Sequence, residues 1–155
     1  MTFQQTLNRD LPRGVAGDFA STNPRNSMLA GEGALVAAEP ITVGQFAFAD
    51  LATGKVYSEF DTGLRVGFVH RNNQAVVALG QAASMTIPTG KEVALFTSGD
   101  FYVVAPATVA VGDTVYALDA DGTVQAVATD AQDTGFVFAE AGAAGDLVKI
   151  TRFSI

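Results

Sequence analysis

Few residues in this chain could do chemistry, and their spacing argues against most of it. Asp119-Ala120-Asp121-Gly122 has the opening of a calcium loop. A complete loop of that kind needs further oxygen ligands, a glutamate at its twelfth position and flanking helices. Here the twelfth position is Asp130 and the flanks are strand-like, so the tetrapeptide reads as a hairpin turn. His70 is the only histidine. A multi-histidine metal site is therefore impossible, and no Gly-x-Ser-x-Gly elbow supplies a nucleophile beside it. Gly31-Glu32-Gly33 runs on into Ala34-Leu35-Val36, which breaks the dinucleotide fingerprint at its third glycine. Neither Thr53-Gly54-Lys55 nor Thr89-Gly90-Lys91 has the glycine spacing of a phosphate loop. Sixteen acids could pair as general acid and base, a pattern without a local signature, but they sit mostly at turns. The expectation is a chain with no catalytic residue, no cofactor and no metal.

Composition narrows the classes further. The 155 residues fit one domain with a real core. They are 48% hydrophobic but only 16% charged, against about 25% for an ordinary soluble domain. A chain so poor in charge covers a free surface badly, which predicts burial against other subunits, most simply as a homo-dimer or homo-trimer. The net charge of −7 argues against nucleic acid, whose binding needs a basic face. Cysteine is absent, so there is neither a disulfide framework nor a thiolate zinc site. The longest apolar run, Phe101 to Val111, is broken by Pro106, whereas a membrane helix needs about 20 largely apolar residues. No membrane partner and no secretory signal are expected.

The elements that must position these residues come from a repeat. Gly31 to Arg71 aligns without a gap on Gly99 to Ala139, at a constant offset of 68. Val43-Gly44 falls on Val111-Gly112, Gly54 on Gly122, Val56 on Val124, and Gly67-Phe68-Val69 on Gly135-Phe136-Val137. Self-similarity at a fixed offset sets architecture. Short runs rich in Val, Phe, Tyr and Thr alternate with turns at roughly 8–12 residue intervals, as in a sandwich or barrel. The predicted fold is all-β, a jelly-roll-like sandwich or barrel, with a single β domain over 28–155 that contains two similar units, 31–71 and 99–139. In the alignment His70 falls on Phe138, so that strand position is expected to accept a plain hydrophobe. Gln74 to Ala83 is the best helix candidate, interrupted by Gly80.

Residues 1–27 have no repeat partner. Three arginines against two aspartates make this segment +1, while the remaining six basic and fourteen acidic residues make the rest −8. Pro12 and Asn23-Pro24 favour extended or turning backbone. The segment is predicted to be an extended arm docking on a neighbour through Phe3, Leu7, Arg9, Leu11, Arg13, Phe19, Asn23, Pro24 and Arg25. The simpler alternative has it packed over its own domain or frayed.

The order of several motifs then becomes informative. Gly14-Val15-Ala16-Gly17-Asp18-Phe19-Ala20 and Asn23-Pro24-Arg25 precede a Val-x-x-Gly unit. Met85-Thr86-Ile87-Pro88-Thr89-Gly90 and Val93-Ala94-Leu95-Phe96 lead to Gly99-Asp100-Phe101-Tyr102-Val103, and a Val-Gly-Asp-x-Val-Tyr-Ala unit spans 111 to 117. Over most of its length the chain resembles the structural cement, or decoration, proteins of tailed-bacteriophage capsids. That resemblance implies a β-rich virion protein on the outer surface of the icosahedral shell, made in the bacterial host cytoplasm. It implies the major capsid protein as partner, with neighbouring subunits bridged and the head stabilised, and no catalytic residues to carry over. Two other classes remain in view. A β-sandwich binding module of a phage tail or fibre would recognise surface glycans through an aromatic groove, and the chain has no tryptophan and only three tyrosines. A small β-barrel enzyme would cluster its acids in a pocket.

Overall fold

The computed structural model describes residues 13–31, 33–71 and 85–153. Among these there is no helix. The strands are β1 (Asn26–Ser27), β2 (Val36–Ala37), β3 (Ile41–Thr42), β4 (Phe46–Asp50), β5 (Lys55–Tyr57), β6 (Arg65–Val69) and β7 (Thr86–Ile87). They continue with β8 (Leu95–Ser98), β9 (Asp100–Val104), β10 (Thr114–Leu118), β11 (Val124–Gln125), β12 (Ala131–Phe138) and β13 (Leu147–Thr151). The fold is all-β, as expected. The helix candidate Gln74–Ala83 lies outside the described residues.

Two main sheets hold the molecule together. The first has the order β1-β8-β6-β4-β5-β2 and the second β9-β13-β12-β10-β11; β3 and β7 form a separate two-stranded pair. Through five positions the sheets run in the same order, with β1, β8, β6, β4 and β5 matched by β9, β13, β12, β10 and β11. Their hairpins match in register too. Ala49 faces Val56 across the β4–β5 ladder, and Ala117 faces Val124 across β10–β11. The turns repeat the same bonds. The Gly54 N–H donates to the Asp50 carbonyl and the Gly122 N–H to the Leu118 carbonyl, both at 2.8 Å.

One difference interrupts the match. Phe46 to Ala49 pair with Phe68 to Arg65 without a break. In the second sheet Val115 faces Phe136 but its neighbour Tyr116 faces Asp133, so Thr134 and Gly135 bulge out of the ladder. Gly135 supplies a φ of +73° that other residues rarely adopt. The Thr134 hydroxyl donates to the Val115 carbonyl at 2.6 Å and receives the Phe136 N–H at 3.2 Å, which satisfies the disrupted ladder. Along β6 and β12 the ladder offset is 67 before the bulge and 69 after it. Val69 donates to the Gln45 carbonyl as Phe138 does to that of Asp113, so the ladder counterpart of His70 is Ala139 and not Phe138. The expectation drawn from Phe138 is therefore corrected, and the bulge is its physical cause.

Strand alternation sorts the side chains into two cores. Leu35, Ala37, Ile41, Ala47, Ala49 and Val56 belong to one. Their partners 68 residues on are Val103, Ala105, Val109, Val115, Ala117 and Val124, all in the other. That second core also takes Phe46, Phe48 and Phe68 from the opposite face of the first sheet. The first sheet is thus covered on both faces. The Phe46–Phe136 and Phe68–Phe101 ring pairs, with centroids 5.9 and 4.5 Å apart, join the two halves. Edge-to-face and tilted contacts of this kind contribute beyond the area they bury.

Candidate functional site

The N-terminal segment crosses the free edge of β9 as a strap. Gly17 donates its N–H to the Tyr102 carbonyl at 2.8 Å, Tyr102 returns one to Asp18 at 3.0 Å, and Ala20 donates to Asp100 at 2.9 Å. Phe19 faces Phe101 across an isolated antiparallel bridge. An edge strand offers unpaired backbone groups, and the strap closes this one.

Side chains lock the strap. Phe19 stacks on His70 with centroids 3.9 Å apart, and the Arg25 guanidinium carbon lies 3.9 Å above the same ring. Two groups that close cannot share one face, so Phe19 is sandwiched between them. A guanidinium over an aromatic face is attracted by the ring quadrupole. Phe96 and Phe101 complete the cluster, at 5.6 and 5.4 Å from Phe19. The Gly17 carbonyl accepts the Arg71 N–H at 2.9 Å and the His70 Nδ1–H at 2.7 Å. Burial, the largest influence on His70, holds its pKa below the usual histidine value despite that bond and nearby Asp18, which act the other way.

Asp100 ties the strap to the sheet. One carboxylate oxygen accepts Ser21 Oγ at 2.5 Å and Asn23 Nδ2 at 2.6 Å. The other accepts Thr151 Oγ1 at 2.6 Å. Further back, the Arg13 guanidinium donates to the Leu147 carbonyl at 2.8 Å and pairs with Glu140. Arg71 pairs with Asp18 at 3.1 Å.

Phe3, Leu7, Arg9 and Leu11 lie outside the described residues. Arg13, Phe19, Asn23 and Arg25 are brought together on this chain's own domain, while Pro24 is exposed. From residue 13 onward the segment has partners in its own fold. Asp100, His70 and Asp18 were missed as its anchors. The available signal was the charge of the strap, whose arginines and amides need acceptors that a −8 remainder can supply.

Two surface features are suited to contacts outside the chain. One is an apolar groove between the sheets, lined by Ala16, Val43, Met85, Val104, Pro106 and Val124. The other lies along β8 and β12, where Met28 and Leu51 stand beside Arg65 and Arg152. Leu29, next to it in sequence, is 85% exposed. Asp121 accepts the Thr123 N–H at 2.9 Å and Asp119 accepts Gln132 Nε2 at 2.9 Å, both turn-building contacts.

Comparison with known proteins adds a family. The model of the XM1 gp53 minor capsid protein family matches residues 3–152. No curated protein matches the chain. A chain from the solved capsid of Myoviridae phage XM1 shares the fold, with a TM-score of 0.64 at 20% identity over 98% of both chains. The N base of head fiber gp8.5 of bacteriophage phi29 overlaps more distantly, with a TM-score of 0.39 at 14% identity over 83% of this chain and 93% of that one.

Proposed function

The chain belongs to the XM1 gp53 minor capsid protein family, and from that premise we propose that it cements the capsid of a tailed phage. Its place is the virion and its role structural. On this reading it sits on the outer surface of the shell and bridges neighbouring major capsid subunits. It stabilises the head by many modest contacts multiplied by symmetry, so avidity holds it. It works as an adhesive, without catalysis. The family match over nearly the whole chain is the observation that carries this reading, and the low charge is consistent with a surface partly covered in the assembly.

The contact surface has two parts in this proposal. In one, Phe3, Leu7, Arg9 and Leu11 of residues 1–12 contact a neighbour, next in sequence to the strap from Arg13 to Arg25. The domain itself is a duplicated unit, and copies associate as a dimer or trimer on the shell. Apolar arm residues would gain burial on a neighbour at about 25 cal/mol per Å².

The test removes residues 1–12 and keeps the strap. The truncated protein should melt within a few degrees of the full chain, yet fail to decorate heads lacking the protein or to raise their resistance to heat. Full occupancy by the truncated protein defeats the arm, and heads equally stable with and without the intact protein defeat cementing.

A further inference from the structure

His70 sits just past β6, where the strap and β9 meet it. Its Nδ1 lies 2.7 Å from the Gly17 carbonyl, an acceptor, so the neutral ring carries its proton on Nδ1. A second proton must go to Nε2, for which no acceptor is found among the described residues. Around the ring, β8 presents Phe96 and β9 presents Phe101, neither ionisable. The strap presents Phe19, Asp18 and Arg25, and the chain after β6 presents Arg71. Asp100 of β9 is committed to Ser21, Asn23 and Thr151.

We propose that His70 is an acid-sensitive latch: neutral, it holds residues 17–25 against β9, and its protonation releases them. The charges explain the direction. An imidazolium in this place meets two cations, Arg25 and Arg71, and one anion, Asp18, which is already paired with Arg71. A cation is drawn to the face of Phe19, but Arg25 holds the opposite face of the same ring. The charged ring also loses water on three aromatic sides. The released segment solvates the ring and separates it from Arg25.

The sign follows from linkage. Burial lowers the pKa of His70 in the docked state. The undocked state, with a value near 6.5, binds the proton first. Docking is therefore complete above that value and weakens as the pH falls through it toward the docked one. The inference stands apart from the cement reading, since it concerns the free protein.

Hydrogen exchange on the full-length protein tests it, with rates corrected for the intrinsic effect of pH. Protection of the Gly17, Ala20 and Tyr102 amides should fall severalfold between about pH 7.5 and 5. The Phe138 and Ala139 amides, bonded within the second half, should hold steady. His70→Phe keeps a flat ring and should leave the strap amides protected across the range. In the wild type, the fall should begin near about 6.5 and level off at the pH of the His70 titration seen by NMR, a measurement that does not depend on the variant folding. Constant strap protection in the wild type overturns the latch. So does an equal fall in His70→Phe, a parallel fall at Phe138 and Ala139, or a fall that lies outside the interval between about 6.5 and the His70 titration.

Discussion

The first and second sheets share a strand order and an inward set of side chains, yet their other faces are opposites. Ala47 and Ala49 match Val115 and Ala117, all buried. The residues between and before them differ: Phe46 and Phe48 are buried, whereas their counterparts Thr114 and Tyr116 are half exposed. What differs is the covering. The second half packs on the outer face of the first sheet, and solvent meets that of the second. Alternate positions along one strand thus carry separate instructions, one set for the shared architecture and one for what lies outside it.

The largest effect should appear at the outer positions. Phe46→Ala removes a ring that meets both Phe68 and Phe136. It should cost about 3–5 kcal/mol in urea unfolding, the range for a large aromatic taken from a core. Thr114→Ala, at the matching position, should stay within about 0.5 kcal/mol. Similar costs at the two positions would erase the distinction between the faces.

Much of this was legible in the residues. The offset of 68 brought together the inward pairs and the Gly54 and Gly122 turns, because glycine and small apolar residues are demanded by backbone and core geometry that both halves share. The all-β class followed from turn spacing. The bulge was not legible: Gly67-Phe68-Val69 and Gly135-Phe136-Val137 are identical tripeptides, and only the ladder reveals that they sit out of step. The reason is physical. Phe68 points out of the first half and Phe136 into the second, and both rings reach the same core. The strap's partners were not legible because its apolar residues have none within the segment; Phe96 and Phe101 lie some eighty residues from Phe19.

The two matched turns give the next effect. Gly54 and Gly122 share a left-handed backbone, with φ of +69° and +70°. A methyl group on Gly54 would meet nothing closer than the Ala34 carbonyl at 3.5 Å, while one on Gly122 would lie 2.0 Å from the Phe46 carbonyl oxygen. Gly54→Ala should cost about 1 kcal/mol, the conformational term alone. Gly122→Ala should cost about 3 kcal/mol, because backbone of the other half must move. Equal losses in denaturant titrations would mean that the halves are not held this closely at the turn.

Asp100 tests the strap as a part separate from both sheets. Asp100→Ala leaves Ser21, Asn23 and Thr151 without their acceptor. A loss of about 1–2 kcal/mol is expected, at the scale of hydrogen bonds to a charged group. Proteolysis should then open the chain between Ser21 and Asn26 before either sheet. Cleavage that begins within the second sheet would show that Asp100 supports the sheet rather than the strap.

The smallest effect separates two acid responses of the same edge. Burial is the largest single influence on Asp18 and acts upward, but the Val15 N–H and Arg71 together outweigh it and hold the carboxyl below its ordinary value. A lowered folded pKa stabilises the protein above the unfolded value, near 3.9, and the contribution fades as the pH falls through the folded one. The pair is partly exposed, 29% at Asp18 and 47% at Arg71, so solvent screening limits it to about 0.5 kcal/mol. Asp18→Asn should therefore lower stability slightly at neutral pH and flatten its dependence on pH only below about 4. The His70 window lies higher, at and below about 6.5. Unfolding of the wild type, Asp18→Asn and His70→Phe across both windows distinguishes them. If Asp18→Asn also removes the change near pH 6, then Asp18, and not the ring stacked on Phe19, governs how the strap responds to acid.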